Sequence, residues 1–169
     1  VGEFMAITKE DLEKYEILKG VTPELLTKIA SFASYEDFEP GDCLTFEGTP
    51  AENFFLIEEG KVSILTERWD ESLPQGEELR PIQTLNKGDV LGWSWIVSPY
   101  VWSFTANALT RTQTIQIDGL KLRDYLDLNP WYGYELLKRF VRMLKDRLIA
   151  ARLHLALNNG KAFKQSEGG

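Results

Sequence analysis

The sequence predicts a mainly β domain, a sandwich or barrel, with helices at both ends. Three observations carry this. From Tyr35 onward the apolar residues Phe38, Leu44, Phe46, Phe54, Leu56, Val62 and Ile64 fall in short runs of period two. Turn signals separate these runs at roughly ten-residue spacing, at Pro40-Gly41-Asp42, Gly48-Thr49-Pro50 and Glu59-Gly60-Lys61. Before and after this region the apolar period changes to that of a helix. With 169 residues, 43% of them hydrophobic and 27% charged, the chain has the size and composition of one soluble globular domain with a sizeable core.

Taken in order, Val1 to Phe4 are expected to be an appended remnant ahead of a native Met5. Residues 5–34 form a helical preface. Thr8 caps a first helix, with Asp11 three residues on, running from about Lys9 to Leu18 and stopping near Gly20. Thr22 caps a second with Pro23 at its first position; Leu25, Leu26, Ile29, Ala30 and Phe32 form its apolar face, and it ends near Ser34. Strands occupy residues 35–118. A polar loop from Trp69 to Arg80 separates strands at Lys61–Arg68 and Glu78–Leu85. Its carboxylates Asp70, Glu71, Glu77 and Glu78 read as a solvated tip without chemistry. Ser103–Leu109 and Arg111–Ile117 are the last two strands. Residues 119–158 are helical again: Asp118 caps one helix, and Asn129-Pro130 breaks it and starts another. Residues 159–169 are expected to be a disordered tail.

The last helix, about Trp131 to Leu157, would be about 40 Å long. Leu137, Val141, Leu144, Leu148, Ala151 and Leu155 recur in alternating steps of four and three, a heptad seam. Gly133, Leu136, Phe140 and Met143 form a second stripe beside it. Two stripes imply two duties, one packing on the β region and the other meeting a partner helix, so a homodimer is expected through the seam. The helix also carries Lys138, Arg139, Arg142, Lys145, Arg147 and Arg152 against Glu135 and Asp146, which reads as the solvated flank of a coiled coil.

The chemistry, if any, gathers in Gly88 to Ala108. Two glycines four apart follow a strand-like run, and Trp93, Trp95 and Trp102 lie within ten positions. A turn of this kind leaves backbone amides unpaired at a helix start, which holds phosphate without many charges. The spacing resembles the phosphate-binding cassette of the cyclic-nucleotide-binding domain family, Gly-x-x-Phe/Leu-Gly-Glu-x-Ala followed by Arg-x-Ala-Thr/Ser-Val-x-Ala. Gly88, Leu91, Gly92, Thr105 and Ala108 match. Trp93 stands where the family has the glutamate that holds the ribose hydroxyl, and Trp102 where it has the arginine that pairs with the cyclic phosphate. Pro40-Gly41-Asp42, Phe46-Glu47-Gly48, Phe54 to Ile57 and Gly60-Lys61-Val62 resemble the first half of the same family. The resemblance runs from about Leu25 to Leu157. It implies a double-stranded β-helix, or jelly roll, of eight short strands with flanking helices. It also implies pairing through the long C-terminal helix, as in bacterial members such as the cyclic-AMP receptor protein.

A buried phosphate needs charge-assisted hydrogen bonds, ordinarily from a guanidinium. Between Arg80 and Arg111 there is no arginine, and the only cation is Lys87. The candidate pocket is therefore Gly92, Trp93, Ser94, Trp95, Trp102, Ser103 and Thr105, with Arg139 or Arg142 supplying charge from across it. Trp93, Trp95 and Trp102 either fill the space a nucleotide would take or line a site for a small anionic or aromatic ligand; filling is preferred. Tight binding of cyclic AMP or cyclic GMP is not expected. One His154 and one Cys43 leave no base–nucleophile pair and no zinc site, so neither catalytic residues nor a metal or cofactor are expected. A net charge of −7 opposes broad nucleic-acid binding. No DNA-reading helix-turn-helix follows, no apolar run spans a membrane, and the chain is expected to be cytoplasmic. The leading reading is a non-catalytic, ligand-sensing regulatory module. The alternatives are a ligand-free dimerising scaffold and the sensor part of a truncated transcription regulator of the same family.

Overall fold

The computed structural model describes residues 6–66 and 80–166, and side chains among them for 6–66 and 81–157. The acidic tip from Asp70 to Glu78 lies outside the described residues. The elements are α1 (Lys9–Glu13), α2 (Pro23–Ser31), β1 (Ala33–Phe38), β2 (Cys43–Thr45), β3 (Asn53–Glu59), β4 (Lys61–Thr66), β5 (Arg80–Asn86), β6 (Val90–Leu91), β7 (Thr105–Ala108), β8 (Thr112–Asp118), α3 (Gly119–Leu128) and α4 (Pro130–Ser166).

The eight strands form two antiparallel sheets, ordered β1-β8-β3-β6 and β2-β7-β4-β5. Neighbours in each sheet come from distant parts of the chain, as in a jelly roll. Val62, Ile64, Leu85 and Ala106 bury one face of the second sheet. In the first, Phe54, Phe55, Leu56 and Ile57 of β3 are all buried, because helices cover the side that the other sheet does not. Phe55 meets the edge of Phe38, while Phe54 reaches Trp95 and Phe140. Leu12, Leu18, Leu25 and Ile29 of the preface belong to the same core. At Gly60, between β3 and β4, φ is +95° and a Cβ would stand 2.5 Å from the Arg111 carbonyl. No other residue fits that turn.

The helical ends follow local rules with four departures. Thr8 and Asp11 close a capping box, as the spacing predicts. The first helix, expected to reach Leu18, ends at Glu13 and gives way to turns. Burying Tyr15, Ile17 and Leu18 together is not possible from one helical stripe, and Tyr15 instead turns to donate its hydroxyl to Glu58. Thr22 occupies the cap position but makes no capping bond. Its amide and hydroxyl go to Glu135 of α4, at 3.1 and 2.8 Å, tying the preface to the last helix. The second helix stops at Ser31 rather than near Ser34, since the backbone from Ala33 pairs with Ile117 of β8. The last helix continues to Ser166, so residues 159–166, expected to be disordered, are helical. Lys161 and Ala162 favour a helix that has already nucleated.

Candidate functional site

Gly88 to Ala108 connects the edge strand β6 to the central strand β7. Beside β3 the Gly88 amide donates to the Ile57 carbonyl at 2.8 Å, and the Ile57 amide donates to the Asp89 carbonyl at 3.0 Å. Gly92 has φ of +104°, and a Cβ there would lie 2.9 Å from two ring carbons of Trp102. Glycine is required on both grounds: the left-handed backbone and the ring laid against it. Trp102 is held by its own backbone, which donates to Thr49 at 2.8 Å and accepts from Gly48 at 2.9 Å.

The segment is a turn rather than a helix. Its one internal bond at the start runs from the Ile96 amide to the Trp93 carbonyl, at 3.3 Å. The expected helix start is absent because Trp95 is drawn wholly into the core. Its ring stacks on Phe54 at 4.8 Å and meets the edge of Phe140 at 5.6 Å. Its indole N–H finds no acceptor among the described residues, a loss of about 1–3 kcal/mol that the aromatic packing offsets. The amides of Trp93, Ser94 and Trp95 likewise donate to no described backbone acceptor. Three successive amides without a described backbone acceptor thus occur in a turn, where a helix start was expected.

The structure brings together part of the residue set nominated from the sequence. Gly92, Trp93, Ser94 and Trp102 form one neighbourhood, with Ser94 and Trp102 buried and Trp93 half-buried. Thr105 is buried and its hydroxyl accepts from the Glu47 amide at 3.1 Å, so it braces the preceding turn; Ser103 is half-buried. Trp95 belongs to the core between the roll and α4. Two placements need correction. Arg139 donates to the Lys19 carbonyl at 2.7 Å and lies beside Glu135, so it fastens the preface. Arg142 is exposed. Both lie off the stripe of α4 that meets the roll, so neither supplies charge to the segment. Lys87, its nearest cation in sequence, pairs with Glu59 at 2.5 Å on the surface.

Two other arginines reach the segment. Arg147 of α4 donates to the Val90 carbonyl. Arg123 of α3 donates to the Trp95 carbonyl at 2.8 Å and lies 3.9 Å over the Tyr100 ring. Tyr100 itself has φ of +59°, a strained value for a side chain of its size. Burial pulls the Arg147 guanidinium below its ordinary pKa, with Asp89 opposing. The sequence held a signal for Arg147, since four residues beyond Met143 the packing stripe of α4 arrives at it. None pointed to Arg123. A cavity of 290 Å³ opens where Tyr100, Arg123 and Asp127 face Gly133 and Leu137 at the α3–α4 elbow. Among the described residues no three of His, Cys, Asp or Glu group to hold a metal, and no helix is long and apolar enough to cross a membrane.

A family model described as the cyclic nucleotide-binding domain matches residues 35–129. Over 81 residues the chain is 35% identical to the cGMP-dependent protein kinase, isozyme 1, of Drosophila melanogaster, covering 48% of this chain and 10% of that protein. Over 136 residues it is 25% identical to the CRP-like cAMP-activated global transcriptional regulator of Mycobacterium tuberculosis, covering 80% of this chain and 58% of that one. The chain thus spans less than two thirds of the length of these relatives. The crystal structure of a cyclic nucleotide-binding domain from Methylobacillus flagellatus superposes with a TM-score of 0.73 at 17% identity, over 91% of this chain and 87% of that one. At that identity the likeness is one of fold.

Proposed function

The chain belongs to the cyclic nucleotide-binding domain family, and on that premise we propose that it is a non-catalytic regulatory module. It senses a small ligand at Gly88–Ala108 and acts as a cytoplasmic homodimer joined through the outer seam of α4. The regulatory relatives support the first part. The exposed leucines of α4 support the second: Leu137, Val141, Leu148 and Leu155 lie open to solvent along the heptad seam.

The observation that carries the ligand reading is the Trp102 ring against Gly92. An aromatic ring stands where the family pattern places a cation, so a phosphate there lacks its usual charge partner. Losing such a partner costs about 2–5 kcal/mol, or roughly 30-fold to several-thousand-fold in affinity. Cyclic AMP and cyclic GMP are expected to bind no tighter than about the high micromolar range. Titration of either nucleotide, followed by tryptophan fluorescence and calorimetry, checks this. Saturable binding below about 10 μM overturns it. A Trp93→Glu, Trp102→Arg double variant that gains binding shows a roll with changed specificity. A second reading, a ligand-free dimerising scaffold, is favoured by the burial of Trp95 and Trp102; continued failure of the double variant to bind supports it.

A further inference from the structure

The packing stripe of α4 ends in a charge. Leu136 and Phe140 are buried and Met143 half-buried. The next position in steps of three and four is Arg147, also half-buried, whose Nη2 donates to the Val90 carbonyl. β6 is the edge strand of its sheet. The Asp89 carbonyl is taken by the Ile57 amide of β3, so that of Val90, pointing the other way, is left for α4.

Among the described residues that neutral carbonyl is Arg147's one hydrogen-bond acceptor. No described carboxylate lies within ion-pair distance of it. Asp89, the nearest acid, accepts from the Asn86 amide at 2.7 Å. A guanidinium has five donors, and withdrawing it from water is costly unless a negative charge faces it. A leucine or methionine would pack the same stripe without that cost. Three residues beyond Val90, at Trp93, begin the amides of the turn that have no described backbone acceptor. At the far end of the turn Arg123 holds the Trp95 carbonyl, again with no described carboxylate in ion-pair distance. The segment therefore lies between two helix-borne cations, neither in ion-pair contact with a described carboxylate.

We propose that Arg147 is the charge partner of an anionic ligand of the phosphate-ester class at Gly88–Ala108, supplied by α4 because the segment carries no cation of its own. The inference rests on the reading of that segment as a ligand site. The ligand's oxygens replace the Val90 carbonyl as acceptors for the guanidinium, since a phosphate can take a two-pronged contact that a carbonyl cannot offer. Amides and a guanidinium together suit a phosphate oxygen set. Arg139 and Arg142 have no part in it.

The test is calorimetry on the full chain with cyclic AMP, cyclic GMP, inorganic phosphate and neutral adenosine. Arg147→Gln keeps a donor for the Val90 carbonyl and removes the charge, while Arg147→Met removes both. Lys145→Met removes an exposed charge from the same helix. The expected result is that an anion bound by the wild type binds both Arg147 variants at least about tenfold more weakly, and Lys145→Met as the wild type. Melting without ligand identifies which Arg147 variant is folded and therefore decisive. Undiminished anion binding by a folded Arg147 variant overturns this inference and leaves the ligand reading standing. So does adenosine binding as tightly as its cyclic phosphate. No binding of any of the four probes by the wild type overturns both.

Discussion

The two long faces of α4 share one helix and one composition but have opposite fates. On the inner face Leu136 is 0% and Phe140 1% exposed, and Phe140 sets its ring edge against both Trp95 and Phe54. On the outer face Val141 is 55% and Leu155 61% exposed. Both faces repeat in steps of three and four, so periodicity alone makes them equivalents. The difference is a partner: the roll covers the first, and nothing described covers the second. An inner leucine holds this fold together, whereas an outer one is exposed surface, the seam proposed above for pairing.

Three experiments break or sharpen that contrast. The largest effect is expected from Phe140→Ala, which empties the junction of α4, Trp95 and Phe54. It should lower unfolding free energy by about 3–5 kcal/mol in denaturant titration; a loss under about 1 kcal/mol would mean that α4 is not seated on the roll. Next is Leu144→Asp with Leu148→Asp, which places two charges in the outer seam. It should convert dimers to monomers in sedimentation at micromolar concentration while leaving the roll folded. A wild type that sediments as a monomer defeats the proposed seam.

The smallest effect tests the end of the roll that launches the helices. Asp118 caps α3 by accepting from the Lys121 amide at 2.9 Å and also pairs with the Lys121 ammonium at 2.8 Å. Its burial alone would raise its pKa, but the bonds from Lys121 prevail and hold it below the usual 3.8. A depressed folded pKa contributes stability above the unfolded value and loses it as pH falls through the folded one. Asp118→Ala should therefore cost about 1 kcal/mol at neutral pH. The gap from wild type should narrow as pH drops below 3.8, measured by thermal melting across an acid series. A gap constant down to pH values well below that would show that the charge contributes nothing.

Much of the fold was legible because its signals are local. The glycine turns, the period-two runs and the Thr8 and Asp118 caps each act within a few residues, and each is where the spacing puts it. The first helix stops short of the expected Leu18, and Tyr15 beyond its end answers to Glu58, 43 residues away. The candidate site was half legible. Gly92 and Trp102, ten residues apart, do come together, the ring lying against the glycine. Trp95 leaves for the core because a ring of its size finds Phe54 and Phe140 to pack against, and no motif encodes those neighbours.

The sequence by itself determined a β-roll with helical ends, a glycine-led turn without a cation, and a last helix with two apolar stripes. Local propensity and periodicity are written in consecutive residues, and they suffice for that much. Only the tertiary structure decided which stripe is covered, and which arginine meets the edge strand β6. Arg139, Arg142 and Arg147 are alike as letters on one helix. They differ by rotation about its axis relative to a sheet edge 57 residues away, where Arg147 meets Val90. That rotation is fixed by the seating of Leu136 and Phe140, a packing event no local pattern contains.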